Sequence, residues 1–322
     1  MPSLRRAVAL AAVSVAAAAL GSSAYQEAAA ARDRRRFHAP GRLVDVGGRK
    51  VHFLEAGHGT PVVVIVPALG DNGLAWMRIQ RALASEMRTC VYDRAGIGWS
   101  DPPPRGRRTV GDTARELRAL LDGAGIEPPV VLVGHSIGGV IARRFTTRYP
   151  DMVAGLVLVD SSHENQSRRH GVHGFPYGRA SYYRRAVKRQ LWILGGRRLA
   201  AALGLLHGLD ADTDREVPAE QAAAYRAILL STRQRRAVVR ETLMMAEFAE
   251  TPPSLGSLPL TVITAGANGI PGWHEMQDEL AALSTRSTRI TAEGSGHYVH
   301  LDDPDLVVRA IRDLVHSAAA HR

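Results

Sequence analysis

The chain has 322 residues, 45% hydrophobic and 22% charged, enough for one large α/β domain with an insertion or for two small domains. A core of that size needs no disulfide. The net charge of +10 gathers in residues 1–50 and 161–250, and no basic face interleaved with base-reading or stacking residues accompanies it, so nucleic-acid binding is excluded from the expected functions.

Arg5 and Arg6 precede an uncharged, alanine-rich run from Ala7 to Ala24, and Ser22-Ser23-Ala24 offers small residues to a signal peptidase. The run reads as a cleaved signal, an uncleaved anchor or an amphipathic arm, with hydropathy marginal for a spanning helix. A membrane-anchored or secreted protein, with membrane association through this segment, is therefore expected; a cytoplasmic location stays open. Residues 1–40 form this segment and a basic linker, and the folded domain is expected from Gly41.

From there short β-rich runs alternate with longer helical stretches. Leu43–Val46 and Lys50–Glu55 flank Gly47-Gly48, a hairpin signal. Pro61–Val66 is a continuous Val/Ile run, as in a strand buried on both faces. Trp76–Ala84 reads as a helix and Arg88–Tyr92 as a strand, within which Cys90, the lone cysteine, fits a small buried position. The segment 110–124 has Leu117, Leu120 and Leu121 at helical spacing and ends on Gly123 and Gly125. Strand Val130–Val133, helix Ile137–Tyr149 stopped by Pro150, and strand Leu156–Val159 follow. Strands Leu260–Thr264 and Ser287–Thr291 and a helix over residues 305–318 close the chain. Eight strands, a hairpin first and β–α units after it, predict a mostly parallel eight-stranded sheet with helices on both faces.

One stretch breaks the alternation. Residues 161–257 separate the sixth and seventh strands, too far apart for a loop. Helical patterns near 182–206 and 218–250, with Phe175, Tyr177, Tyr182, Tyr183 and Trp192, predict a helical cap inserted over the carboxyl ends of the strands, where open α/β sheets bind ligands. Residues 41–160 and 258–322 are then the core.

The chemistry centres on Gly134-His135-Ser136-Ile137-Gly138, a G-x-S-x-G sequence between a Val-rich strand and a helix. A serine at the tip of such a turn projects its hydroxyl at the helix N-terminus, where the N–H of Ile137 faces a developing oxyanion. The bland alternative is a turn serine capping its own helix. The hydroxyl needs a base. Gly294-Ser295-Gly296-His297 follows the last strand, and His297 is preferred over His300 because glycines flank it. His135, His163 and His297 do not have the spacing of metal ligands, so no metal and no cofactor are expected. Asp93 and Arg94, in the Tyr92–Ser100 segment, are read as fixing loop geometry behind the site; that segment lacks the Lys-Ser/Thr of a phosphate loop.

Together the strand–elbow–helix around Ser136, the Tyr92-Asp93-Arg94-Ala95-Gly96-Ile97-Gly98-Trp99-Ser100 segment and the Ser295-Gly296-His297 loop resemble the α/β-hydrolase superfamily, over about residues 42–318 and less closely in the insertion. The resemblance implies an α/β-hydrolase fold with Ser136 as nucleophile and His297 as base. It implies a second oxyanion donor in the loop after the third strand, where Val66-Pro67-Ala68-Leu69-Gly70 replaces the usual His-Gly; by position this is the N–H of Leu69. The loop after the seventh strand, Thr264 to Ile270, carries Asn268 but no carboxylate. The family's alternative acid position, after the sixth strand, is Asp160, with Asn268 as a weaker candidate to orient the imidazole. Asp302 and Asp303 are read as capping or flanking the last helix. The expected activity is cleavage of a small-molecule ester with an apolar acyl or alcohol part. An acyltransferase on the same triad, separable by product analysis with an alcohol acceptor, and a non-catalytic binding module on a hydrolase scaffold, against which the intact Ser136/His297 pair argues, remain as alternatives.

Overall fold

A computed structural model describes residues 2–169, 196–205, 215–245 and 254–319. Eight strands form one sheet in the order β1-β2-β4-β3-β5-β6-β7-β8. They are β1 Arg42–Asp45, β2 Lys50–Ala56, β3 Val63–Val66, β4 Thr89–Tyr92, β5 Val130–His135, β6 Val153–Val159, β7 Leu260–Ala265 and β8 Ser287–Ala292. β1 and β2 pair antiparallel, as do β2 and β4, and every other neighbour is parallel. The predicted hairpin and parallel crossovers are thus present. β6 starts earlier than its apolar run suggested, because Val153 follows a 3₁₀ turn at Pro150–Met152 that ends the preceding helix.

The sheet is buried on both sides by the pleat of its central strands. Val64, Val66, Val130 and Leu132 face one core with the helices Val110–Ala124 and Ile137–Arg148. Val63, Ile65, Val131 and Val133 face the other, with Met77–Leu83 and Pro304–Ala319. A continuous Val/Ile run is what such a two-sided position requires. Cys90 lies fully buried in β4, and burial pushes its thiol up to about 12, so it packs as an apolar residue. The Val110–Ala124 helix begins with a capping box between Thr109 and Asp112 and ends on Gly125 at φ 68.

Between β6 and β7 the described helices are Gln166–Arg169, Gly196–Ala202, Ala222–Leu229 and Thr232–Met245. The last two occupy the pattern expected over 218–250. Phe175, Tyr177, Tyr182, Tyr183 and Trp192 lie outside the described residues. The N-terminal segment is one helix, Pro2–Arg36, and its second half packs on this insertion. Ala29 and Ala30 are buried, Gln26 donates to the Leu230 carbonyl at 2.9 Å, and Asp33 pairs with Arg198 at 2.7 Å. Packed structure therefore begins ahead of Gly41, because alanines let the helix approach closely. No helix of the described residues is long and apolar enough to cross a membrane, since an alanine run gains little from hydrocarbon.

His52 of β2 ties the segment before the sheet to the loop after β4. It is fully buried, with Nδ1 2.7 Å from Asp93 Oδ2 and Nε2 on the Pro40 carbonyl. Both ring nitrogens face acceptors, and only the imidazolium donates to both. Burial opposes that charge, but Asp93 outweighs it and the His52 pKa is raised. Its contribution to stability is full below the unfolded value of about 6.5 and is lost as pH rises through the folded value. The gap in denaturation midpoint between wild type and His52→Gln should be widest near about pH 6 and narrow toward about pH 9; a gap that widens with pH would contradict the charged pair.

Candidate active site

Ser136 sits between the end of β5 and the first turn of the Ile137–Arg148 helix, at φ 54 and ψ −122. Asp160, immediately after β6, has φ 38. These are the non-glycine residues of positive φ among the described residues. Each such conformation costs about 1–3 kcal/mol, and such outliers gather at functional sites. The elbow is possible because of two glycines. A Cβ at position 134 would lie 2.5 Å from the Gly139 Cα, and one at position 138 would lie 2.0 Å from the Val66 carbonyl oxygen. The elbow thereby packs directly on the chain leaving β3.

Three side chains meet there. His297 Nε2 lies 3.0 Å from Ser136 Oγ, and His297 Nδ1 lies 2.7 Å from Asp160 Oδ2. Ser136 does not cap its own helix, so the bland reading of the turn serine is not what the structure shows. Asp160 is fully buried and takes three further hydrogen bonds: from the Ala265 N–H at 2.9 Å, Trp273 Nε1 at 2.7 Å and Asn268 Nδ2 at 3.0 Å. Asn268 therefore serves the carboxylate and not the imidazole. The carboxylate is held in one orientation by donors from three places, as a buried charge requires.

The N–H of Ile137 heads a helix, where no intrahelical acceptor exists. In the loop after β3, the Gly70 N–H donates to Glu241 Oε2 at 3.0 Å, whereas the Leu69 N–H has no acceptor among the described residues. The Ala68 N–H likewise has no acceptor among the described residues, so the free donors at this level of the loop are those of Ala68 and Leu69.

That loop is held from behind by Arg94, 1% exposed. Its guanidinium donates to the carbonyls of Pro67 and Ala68 at 2.6 Å each, and to Glu241 Oε1 and Oε2 at 2.5 and 3.0 Å. Burial opposes the charge of Arg94, but the Glu241 carboxylate holds its pKa above the ordinary value. Asp93 accepts from the N–H groups of Gly73 and Trp99 at 2.8 and 3.1 Å. Both residues of the Tyr92–Ser100 segment bind loop backbone, as expected. Glu241 and Trp273 had no sequence signal, because each reaches its partner across a long separation in the chain.

The remaining candidates divide. Asp303 Oδ1 accepts from the Leu306 N–H at 3.0 Å and heads the last helix. Asp302 instead accepts from the Gly296 N–H at 2.8 Å and pairs with Arg215, pinning the His297 loop. His163 lies with Glu279, Nε2 to carboxylate 3.2 Å, not with His135 and His297. His135 is buried beside His297, ring centroids 4.9 Å apart, with Nε2 2.8 Å from the His297 carbonyl oxygen.

A family model described as the alpha/beta hydrolase fold matches residues 61–304. An AB hydrolase superfamily protein of Gibberella zeae is 26% identical over 277 residues, 79% of this chain and 86% of that one. A protein called "Probable transporter efuK" from Hormonema carpetanum is 37% identical over 134 residues; these are 39% of this chain and 19% of the relative, so the likeness is to a segment of it. Among solved structures, a thermophilic esterase of Thermogutta terrifontis is 25% identical with a TM-score of 0.62, covering 86% of this chain and 98% of that one. The chain belongs to the α/β-hydrolase family.

Proposed function

We propose that the protein is a carboxylic ester hydrolase that works through an acyl-enzyme. The observation that carries this reading is the unbroken chain Ser136 Oγ, His297 Nε2, His297 Nδ1, Asp160 Oδ2, with links of 3.0 and 2.7 Å. Ser136 Oγ attacks the ester carbonyl while His297 Nε2 takes its proton. Asp160 holds the imidazole tautomer and stabilises the imidazolium. The N–H groups of Ile137 and Leu69 bind the tetrahedral oxyanion. His297 then returns the proton to the alkoxide, the alcohol leaves, and His297 activates water to release the acid.

Residues 161–257 serve as the cap in this reading, with 41–160 and 258–322 as the core. The cap reaches the chemistry through Glu241, which holds Gly70 and Arg94 and so sets the height of the Leu69 N–H. The substrate is a small or medium ester with an apolar acyl or alcohol portion, in keeping with the Leu, Ile and aromatic content of the insertion.

Hydrolysis of p-nitrophenyl esters from acetate to laurate tests the reading. Wild type should turn over one range of chain lengths. Ser136→Ala should lower kcat by about 10⁶-fold and Asp160→Asn by about 10⁴-fold. Turnover that survives Ser136→Ala would overturn it. Glu241→Ala leaves the Arg94 charge buried and unpaired, which should cost about 3–5 kcal/mol of stability. It should lower kcat by about 10- to 100-fold with a smaller change in KM, since a displaced oxyanion donor acts on the transition state. A variant with wild-type kcat and a raised KM would place Glu241 in substrate binding instead.

A further inference from the structure

Beside the triad, three side chains from three loops converge on one interior point. Asp71 comes from the loop after β3, His135 from the elbow, and His300 from the short helix Val299–Asp302. One carboxylate oxygen and one nitrogen of each imidazole lie within 4.8 Å of one another. The three residues are 7%, 0% and 2% exposed. Asp71 Oδ2, His135 Nδ1 and both nitrogens of His300 are buried without a hydrogen-bond partner. Buried polar atoms in native proteins are almost always satisfied, and three orphans around one point, one from each residue, call for an occupant.

The chemistry of the donors selects that occupant. A carbonyl oxygen only accepts, so His135 Nε2, which contacts the His297 carbonyl at 2.8 Å, carries the ring proton. His135 Nδ1 therefore presents a lone pair to the point. An imidazole that gives one N–H to a backbone carbonyl and its other nitrogen inward has the arrangement of a metal ligand. Asp71 Oδ1 accepts from the Asn72 N–H at 2.8 Å, and Oδ2 is left without a partner. The His300 ring is fixed by Trp76, stacked on it at 4.2 Å with planes 4° apart. Two neutral imidazoles and one carboxylate suit zinc and its neighbours in the first transition row. Magnesium and calcium take oxygen donors instead.

We propose that Asp71, His135 and His300 form a buried site for one divalent transition-metal ion of the zinc class. The ion is a structural staple. Asp71 is two residues beyond Leu69, His135 adjoins Ser136, and His300 follows His297 by three, so one ion joins the loops that carry the donor, the nucleophile and the base. The binding claim stands apart from the proposed activity, because none of its ligands is assigned a step in ester cleavage.

The test uses the untagged full chain, stripped by a chelator and dialysed. Titration calorimetry and thermal melting are run with zinc, cobalt and magnesium chlorides alone. One zinc or cobalt ion should bind per chain and raise the melting temperature with concentration, with magnesium inert, and the cobalt form should show visible d–d absorption. Asp71→Asn and His300→Gln should weaken zinc binding by about 10-fold or more while the stripped variants melt like stripped wild type. Ser136→Ala should bind zinc as wild type does, which separates this claim from the triad. Binding unchanged by both ligand variants, no saturable zinc binding by wild type, or a crystal grown with zinc that holds only a water at this point would overturn the proposal.

Discussion

Only glycine at position 138 lets the elbow lie against the carbonyl oxygens of Val66 and Pro67, where a Cβ would stand 2.0 and 2.6 Å away. That backbone contact determines how the rest of the site is built. It brings the first turn of the Ile137–Arg148 helix against the chain leaving β3. It also forces the chain through Ser136 at positive φ, with the hydroxyl projecting instead of turning back onto the helix. Such strain persists where surrounding structure over-determines it. Here parallel pairing of β5 with both β3 and β6 supplies that rigidity.

Around this contact, buried charges are paired with backbone as well as with each other. Arg94 spans Pro67, Ala68 and Glu241. Arg143 spans Ser162 and Glu164 behind Asp160, at 2.8 and 2.7 Å. An isolated buried ion pair contributes little net stability, but one that also satisfies carbonyls fixes the position of a loop. The two arginines thus frame the two loops that must keep their distance from Ser136. Glu241 makes one of those frames depend on the insertion, which couples its docking to the geometry of the cleft.

Much of this was legible in the chain. The Val/Ile runs specified the strands because a strand buried on both faces has no polar side to show. The hairpin followed from Gly47-Gly48. The elbow and the glycine-flanked His297 were visible because they are local patterns, and Asp160 came from the family resemblance, which offers the position after β6 where the loop after β7 has no carboxylate. Glu241, Trp273 and the convergence of Asp71, His135 and His300 were hidden. Each is an ordinary residue in its local context and acquires meaning only across the sheet, at separations no periodicity encodes. The docking of Gln26, Ala29 and Ala30 on the insertion was hidden for the same reason, since an alanine-rich helix has no strongly apolar face to reveal its contact.

Active-site labelling tests the central claim most directly. A fluorophosphonate should form one covalent adduct on the intact protein, and peptide mass spectrometry should place it on Ser136. The adduct should disappear in Ser136→Ala and form far more slowly in His297→Ala, because phosphonylation needs the same base as acylation. Labelling that maps to another residue, or that proceeds equally in Ser136→Ala, would contradict the account.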